Sequence, residues 1–416
     1  MAISRIRILA GSTVLLVLLT GCAQVYPGDA QRDPGHDANT VNLALLDTGN
    51  YPTKPRGPLG NANDAAVGAV LEGHRLAENV VLPFEVDKTL LKVGRMGTGV
   101  MKRPKAVGAY LESSELAGAV EAHNYITGYA ASANDAHAPD FNQNLFLQNA
   151  VLVFKTETDA AAAAAAMADA SNTRTSAIDN IPLTVTPLTI PNHPETVART
   201  WSQHFDLLNK TTYSVIAFTP RGRNVLVQRV ISQQDTATAT DLATKALDQQ
   251  LPLIDRFTPT APDQLVNLPK DPSGLIARML LPDKDNQVVE NGTYGPHGAL
   301  VFQPDLLAAP ALFNELGVDA VIEEDGFLTR TKDAASARRF LDSLTKSQTA
   351  SGWKPIDGVA GLPEARCMSL KSDSAGGTTN YWCAVPQDRL VLETNEGQEL
   401  VAKQKLAAGY LMLTAS

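Results

Sequence analysis

Cysteine is scarce: the chain has three in 416 residues, at positions 22, 367 and 383. That leaves no CxxC pair for zinc and none of the cysteine framework that staples small secreted domains. Tryptophan occurs only at Trp201, Trp353 and Trp382, and aromatic residues make up 6% of the chain. The longest apolar run near the N-terminus, Ile8–Leu19, is well short of the roughly 20 residues that a permanent membrane-spanning helix needs. There is no GxSxG, GxGxxG, Walker loop or HExxH, so the usual hydrolase, dinucleotide, nucleotide and zinc-protease signatures are missing. No catalytic residue, metal ligand or cofactor is assigned, and no ligand-binding residue is identified. Hydrophobic residues at 44% and charged residues at 19% are ordinary for a folded globular chain.

The N-terminus is informative. Arg5 and Arg7 precede the apolar run, which ends in Leu19-Thr20-Gly21-Cys22. A basic segment, a short apolar stretch and small residues follow the order of a secretory signal. The tetrapeptide resembles the bacterial lipobox, in which small residues fit the signal peptidase cleft and the cysteine thiolate takes the lipid. The resemblance implies a signal peptide over 1–21, lipidation with palmitate or similar acyl chains at Cys22, and attachment to the outer face of the cell membrane within the envelope. Without residues 1–21 the chain carries 33 basic and 44 acidic residues, a net charge of −11, which argues against nucleic acid as a partner. Residues 22–40 are polar and broken by Pro27, Gly28, Pro34 and Gly35, the composition of a lipidated tether.

The remaining length suits two domains. Pro259, Pro262, Pro269 and Pro272 mark a linker over 259–272, dividing an N-terminal lobe (41–258) from a C-terminal lobe (273–416). The first lobe is expected to open on a strand at Leu43–Leu46 and to carry extra helices over Asp64–Asn79 and Ser113–Ala130. The two lobes share an internal repeat. Phe154–Ala161 (FKTETDAA) resembles Leu328–Ala335 (LTRTKDAA) at a spacing of 174, and Ala198-Arg199 and Thr211-Thr212 recur as Ala365-Arg366 and Thr378-Thr379, both at 167. The shared order reads strand, helix, strand, strand, helix. The fold class is therefore α+β, two related lobes, each with helices packed on one face of a mainly antiparallel sheet. In this alignment Cys367 and Cys383 match Thr200 and Ile216. Export to an oxidising compartment, with turn-forming residues between two strand-like segments, makes Cys367 and Cys383 a disulfide across a hairpin. Trp382, beside Cys383, is expected to cover it.

The tetrapeptide at Cys22, the stretch Leu45–Arg56 (LLDTGNYPTKPR) and the doubled layout resemble an uncharacterised group of lipoproteins from mycobacteria, nocardiae and related actinobacteria. That resemblance implies an envelope compartment and no particular reaction.

Several motifs fail on their chemistry. Asp47-Thr48-Gly49 looks like an aspartic-protease loop, yet that mechanism needs two aspartates sharing a proton and no second copy exists. Asp283, Asp285 and Gln287 imitate a calcium loop without its glycine or terminal glutamate. Glu323-Glu324-Asp325-Gly326 reads as a hairpin turn before it reads as a cation site. His74 and His123 fall on the apolar faces of helical patterns and read as packing residues. Ser343–Lys346 fits SxxK without the companion elements of that enzyme class. Duplicated lobes create an interface of the kind where ligands bind. The function expected is non-enzymatic binding of an envelope lipid, glycan or protein partner. The alternative is a hydrolase of envelope lipid or glycan whose site is assembled only in space.

Overall fold

A computed structural model describes residues 40–94, 97–135, 144–176, 181–206, 209–283, 287–372 and 377–415. The signal peptide, Cys22, nearly all of the tether and Asp285 lie outside the described residues.

The first domain is an antiparallel sheet with helices on both sides. Its elements run α1 (Ala65–Ala77), α2 (Pro83–Val86), β1 (Leu90–Val93), β2 (Gly99–Val100), α3 (Pro104–Tyr110), α4 (Ser114–Glu121), β3 (Tyr125–Asp135) and β4 (Leu145–Phe154). They continue with α5 (Glu157–Ala170), β5 (Thr186–Leu188), β6 (Val197–Phe205), β7 (Lys210–Arg221), β8 (Asn224–Ser232) and α6 (Thr236–Ile254). The strand order is β1-β3-β4-β8-β7-β6-β5, with β2 on β3. In the second domain come β9 (Gly292–Tyr294), α7 (Ala309–Leu316), β10 (Ala320–Glu324), β11 (Gly326–Arg330) and α8 (Ala334–Ala350). After them follow β12 (Lys354–Ile356), β13 (Arg366–Lys371), β14 (Thr379–Gln387), β15 (Leu390–Glu396) and α9 (Glu399–Thr414). Its order is β12-β13-β14-β15-β11-β10-β9. Read from opposite edges the two orders coincide, β3 with β10, β4 with β11, β8 with β15, and onward to β5 with β12.

Local chemistry explains the repeated elements. α5 is alanine-rich and capped by Thr156, whose hydroxyl accepts from the Asp159 N–H, and α8 is capped by Asp333, which accepts from the Ser336 N–H. The tight hairpins β7–β8 and β14–β15 turn at Gly222 and Asp388, both with positive φ, as such turns require. Alternation along each strand then sends neighbouring residues to opposite faces. Val215, Ala217, Leu226 and Val230 pack with Leu242, Ala246 and Leu247 of α6. Ile216, Phe218, Val225 and Val227 meet Ala160, Ala163, Ala164 and Met167 of α5. In the second domain Cys383, Val385 and Leu392 pack under α9, while Trp382, Ala384 and Val391 pack under α8.

These facts correct the sequence reading in several places. Both faces of each sheet are covered, which is why β4 is buried almost without interruption and shows no polar alternation. The repeat contains additional strands, because β3, β5, β10 and β12 are short or mixed in composition and carry weak patterns. Ser113–Ala130 is α4 followed by the start of β3, with His123 in the intervening turn. Leu43–Leu45 is a 3-10 turn capped by Asn42, and residues 42–59 lie along the second domain: the Asn42 N–H donates to the Gly361 carbonyl, Arg56 donates to the carbonyls of Ile276 and Met279, and Leu46 and Leu59 join that domain's core. The helices align Thr156 with Asp333, about one turn from the sequence alignment. Cys367 and Cys383, directly opposed on β13 and β14 and bonded, correspond to the opposed pair Ala198 and Ala217 on β6 and β7, not to Thr200 and Ile216. Trp382 faces the other side of the sheet from the disulfide and donates from Nε1 to Glu393 at 3.0 Å.

Candidate functional site

The seam between the domains, where a cleft is expected, is packed. One apolar core runs from the α6 face of the first sheet to the α8 face of the second. Leu76 and Ala77 of α1 meet Tyr294, Ala299 and Leu300 within it. The His74 ring lies 5.0 Å from Tyr294, Tyr294 is 5.0 Å from Phe302, and Phe302 is 5.4 Å from Phe327. Polar struts complete the joint. Glu78 accepts from the N–H groups of His297 and Gly298, and His297 Nε2 lies 3.1 Å from Glu85. Burial opposes a charge on His297, but the hydrogen bond to Glu85 and the charges of Glu85 and Glu78 outweigh it and raise its pKa above the ordinary value. His74 is 3% exposed and its Nε2 lies 2.7 Å from the Val289 carbonyl. Burial lowers its pKa to about 4, so it is neutral and donates through Nε2.

Two surface clefts occupy equivalent ends of the domains. In the first, the β7–β8 turn, the start of α5 and the end of α6 enclose about 290 Å³ beside the Arg221–Asp255 ion pair. In the second, the β14–β15 turn, α8 and α9 enclose about 210 Å³ beside Arg338–Glu364. Each charged pair is closed on itself by two parallel hydrogen bonds.

Among the described residues, a pair of arginines on the α5 face of the first sheet carries N–H groups that are not closed on a partner. Arg229, on the same face of β8 as Val225 and Val227, is 5% exposed. Its guanidinium lies over the Phe146 ring at 5.1 Å and its Nη2 pairs with Glu112, but its Nε has neither solvent nor a protein partner. Arg174 follows α5 and its guanidinium lies 4.4 Å from the centroid of the Trp201 ring, within cation–π reach. Arg174 Nε and Nη2 are likewise shut from solvent with no partner. Burial, then the charge of Arg229, lowers the Arg174 pKa to about 10, with Glu112 and Glu115 acting the other way. The Arg174 guanidinium is therefore still a cation at neutral pH. In the cross-strand row of Arg229, Gln148 donates from Nε2 to the Gly97 carbonyl while its Oε1 has no partner.

Unpartnered N–H groups shut from solvent on the buried Arg229 and the half-buried Arg174 cost folding free energy unless something accepts from them, since each buried donor without an acceptor costs about 1–3 kcal/mol. Planar guanidinium forks suit carboxylate and phosphate oxygens. Among the described residues, this arrangement is the candidate ligand site. Sequence reading missed it because Arg174, Trp201 and Arg229 meet only through the sheet. The one visible signal was an arginine on an otherwise apolar strand face, after Val225 and Val227.

Asp47 and Asp325, weighed on sequence, have structural partners, as does His193. Asp47 accepts from the Gly49 N–H and from Gln404 in a tight turn. Asp325, in the β10–β11 turn, pairs with Lys405, which also pairs with Glu396. His193 lies between Asp248 at 2.7 Å and Glu195 at 3.5 Å, with both ring nitrogens engaged. No group of three or more His, Cys, Asp or Glu placed to hold a metal occurs among the described residues.

No curated protein matches the chain. Among solved structures it is similar to the extracellular domain of PknH from Mycobacterium tuberculosis, at 17% identity and a TM-score of 0.32, over 43% of this chain and 96% of that one. That likeness is too slight to establish a shared fold. Two family models match in sequence, the N-terminal domain of unknown function DUF7373 over residues 59–270 and its C-terminal companion over 275–416. Together they cover both sheets, and the chain belongs to the DUF7373 family.

Proposed function

We propose that the mature chain is an envelope lipoprotein, tied by lipid on Cys22 to the outer face of the cytoplasmic membrane, that acts by non-covalent binding of a ligand in its first domain. The observation that carries the binding reading is Arg174: a guanidinium lying over Trp201, within electrostatic reach of the buried Arg229, with two nitrogens that have no hydrogen-bond partner. His74, His193 and His297 are engaged by a carbonyl or by carboxylates, which suits structural joints better than general bases. The anchor rests on the Leu19–Cys22 tetrapeptide and the polar tether. No described helix is long and apolar enough to cross a membrane.

Cys22→Ala tests the anchor. The variant is expected to leave the membrane fraction and to lose acyl label, and retention of both at the parental level would sink it. Native mass spectrometry of the unlipidated domain, recovered from its own envelope, tests binding through co-purifying small molecules. Turnover of an envelope substrate that requires a specific side-chain cluster would replace binding with catalysis.

A further inference from the structure

Resting on that binding reading, we infer that Arg174 and Arg229 recognise a tetrahedral oxyanion, a phosphate or phosphate ester, and that Glu112 is an internal carboxylate which the ligand displaces. The open donors number three atoms on two side chains: Nε and Nη2 of Arg174 and Nε of Arg229. A carboxylate offers two oxygens in one plane and satisfies a single fork. A phosphate presents oxygens in several directions and serves two forks at once. Stacking on Trp201 and Phe146 sets the guanidinium planes before a ligand arrives, so little side-chain freedom is lost on binding.

Glu112 is placed as a stand-in. Its carboxylate holds Arg229 Nη2, yet its side chain is 68% exposed while that of Arg229 is 6% exposed. It is held from outside and can swing away into water. Its backbone adds a second sign. Six non-glycine residues among those described have positive φ, five of them asparagine or aspartate, which tolerate that region; the sixth is Glu112, at 52° in the turn between α3 and α4. Glu112 is held in the left-handed region where its carboxylate reaches the arginine.

The phosphate could belong to a lipid headgroup or to a free metabolite, and the probes separate these. The mature chain with its disulfide intact is titrated at constant ionic strength with inorganic phosphate, glycerol phosphate, short-chain phosphatidylglycerol and acetate. The readout is Trp201 emission, with Trp201→Phe giving the background from Trp353 and Trp382. Phosphate-bearing probes are expected to change the emission at concentrations at least tenfold below acetate, with the lipid arm tightest if a headgroup is the natural source. Arg174→Gln and Arg174→Lys, the second keeping the charge but losing the fork, are expected to weaken the response at least tenfold with circular dichroism unchanged. Glu112→Gln is expected to tighten it several-fold. A response to acetate equal to that for phosphate overturns the oxyanion class and leaves binding in place. An unchanged affinity in Glu112→Gln overturns the displacement alone. Phosphate binding that survives Arg174→Gln places the site elsewhere, and silence toward every probe overturns the oxyanion assignment, while co-purifying molecules in the native mass spectrum would still support binding.

Discussion

At the scale of single residues, His74 shows how burial becomes a pH dependence. Its folded pKa is about 4, below the ordinary 6.5, because its burial disfavours the imidazolium. Between those values the unfolded chain binds a proton that the folded chain does not. Stability is therefore fully present above pH 6.5 and falls as pH drops toward 4, by about 3 kcal/mol over the whole window. His297 runs the other way: its raised pKa contributes stability at low pH that is lost as pH rises through the folded value. Urea denaturation of the parent and of His74→Gln at pH 7 and pH 5 separates them, since His297 is common to both. The parent is expected to lose about 2 kcal/mol more than the variant between the two pH values. Equal losses would show that His74 is protonated in the fold.

At the scale of elements, the glycine at position 68 decides how α1 meets the chain that links the domains. A Cβ there would lie 2.2 Å from the Leu265 carbonyl oxygen, which belongs to backbone and cannot rotate away. Alanine has the better helix propensity by about 1 kcal/mol, but overpacking against a fixed backbone costs about 1–3 kcal/mol. Gly68→Ala is therefore expected to destabilise the protein in a denaturant melt, and a gain in stability would mean that α1 is free to shift. The linker on which it packs is pinned as well, the Thr260 N–H and hydroxyl both donating to Glu72, which is 1% exposed. Proline spacing marks this segment in sequence but says nothing of this clamp. The strand–helix repeat was legible because FKTETDAA and LTRTKDAA resemble each other where β4 enters α5 and β11 enters α8, and the hairpin cysteines because turn residues lie between two strand-like runs. Helices on both faces were not legible: a central antiparallel strand covered on each side reads as a plain apolar run, as β4 does. Nor was the arginine pair, whose members lie 55 residues apart in sequence and become neighbours only through β6–β8 pairing.

For the whole molecule, the path of residues 40–61 fixes which domain meets the membrane if Cys22 is lipidated. The described chain begins at Thr40 on the second domain, where Asn42 bonds to Gly361, and crosses to the first domain at the Asn61–Pro269 bridge. The residues just after the tether leave apolar side chains in solvent: Val41 is 40% exposed, Leu43 50% and Leu45 58%. Full burial of such a side chain contributes about 1.5–3 kcal/mol, so half-burying three of them in lipid gives a few kcal/mol, enough to orient a protein already held by acyl chains and too little to hold it alone. The second domain then faces the bilayer and the arginine pair of the first domain stands away from it. Lipidated protein on vesicles, carrying an environment-sensitive fluorophore at Leu45→Cys or at Lys210→Cys in the first domain, measures this directly. Emission from position 45 is expected to shift to the blue and to be quenched by nitroxide lipids, with position 210 unaffected. Equal quenching at both positions, or quenching at 210 alone, would put the first domain against the membrane and reverse the orientation.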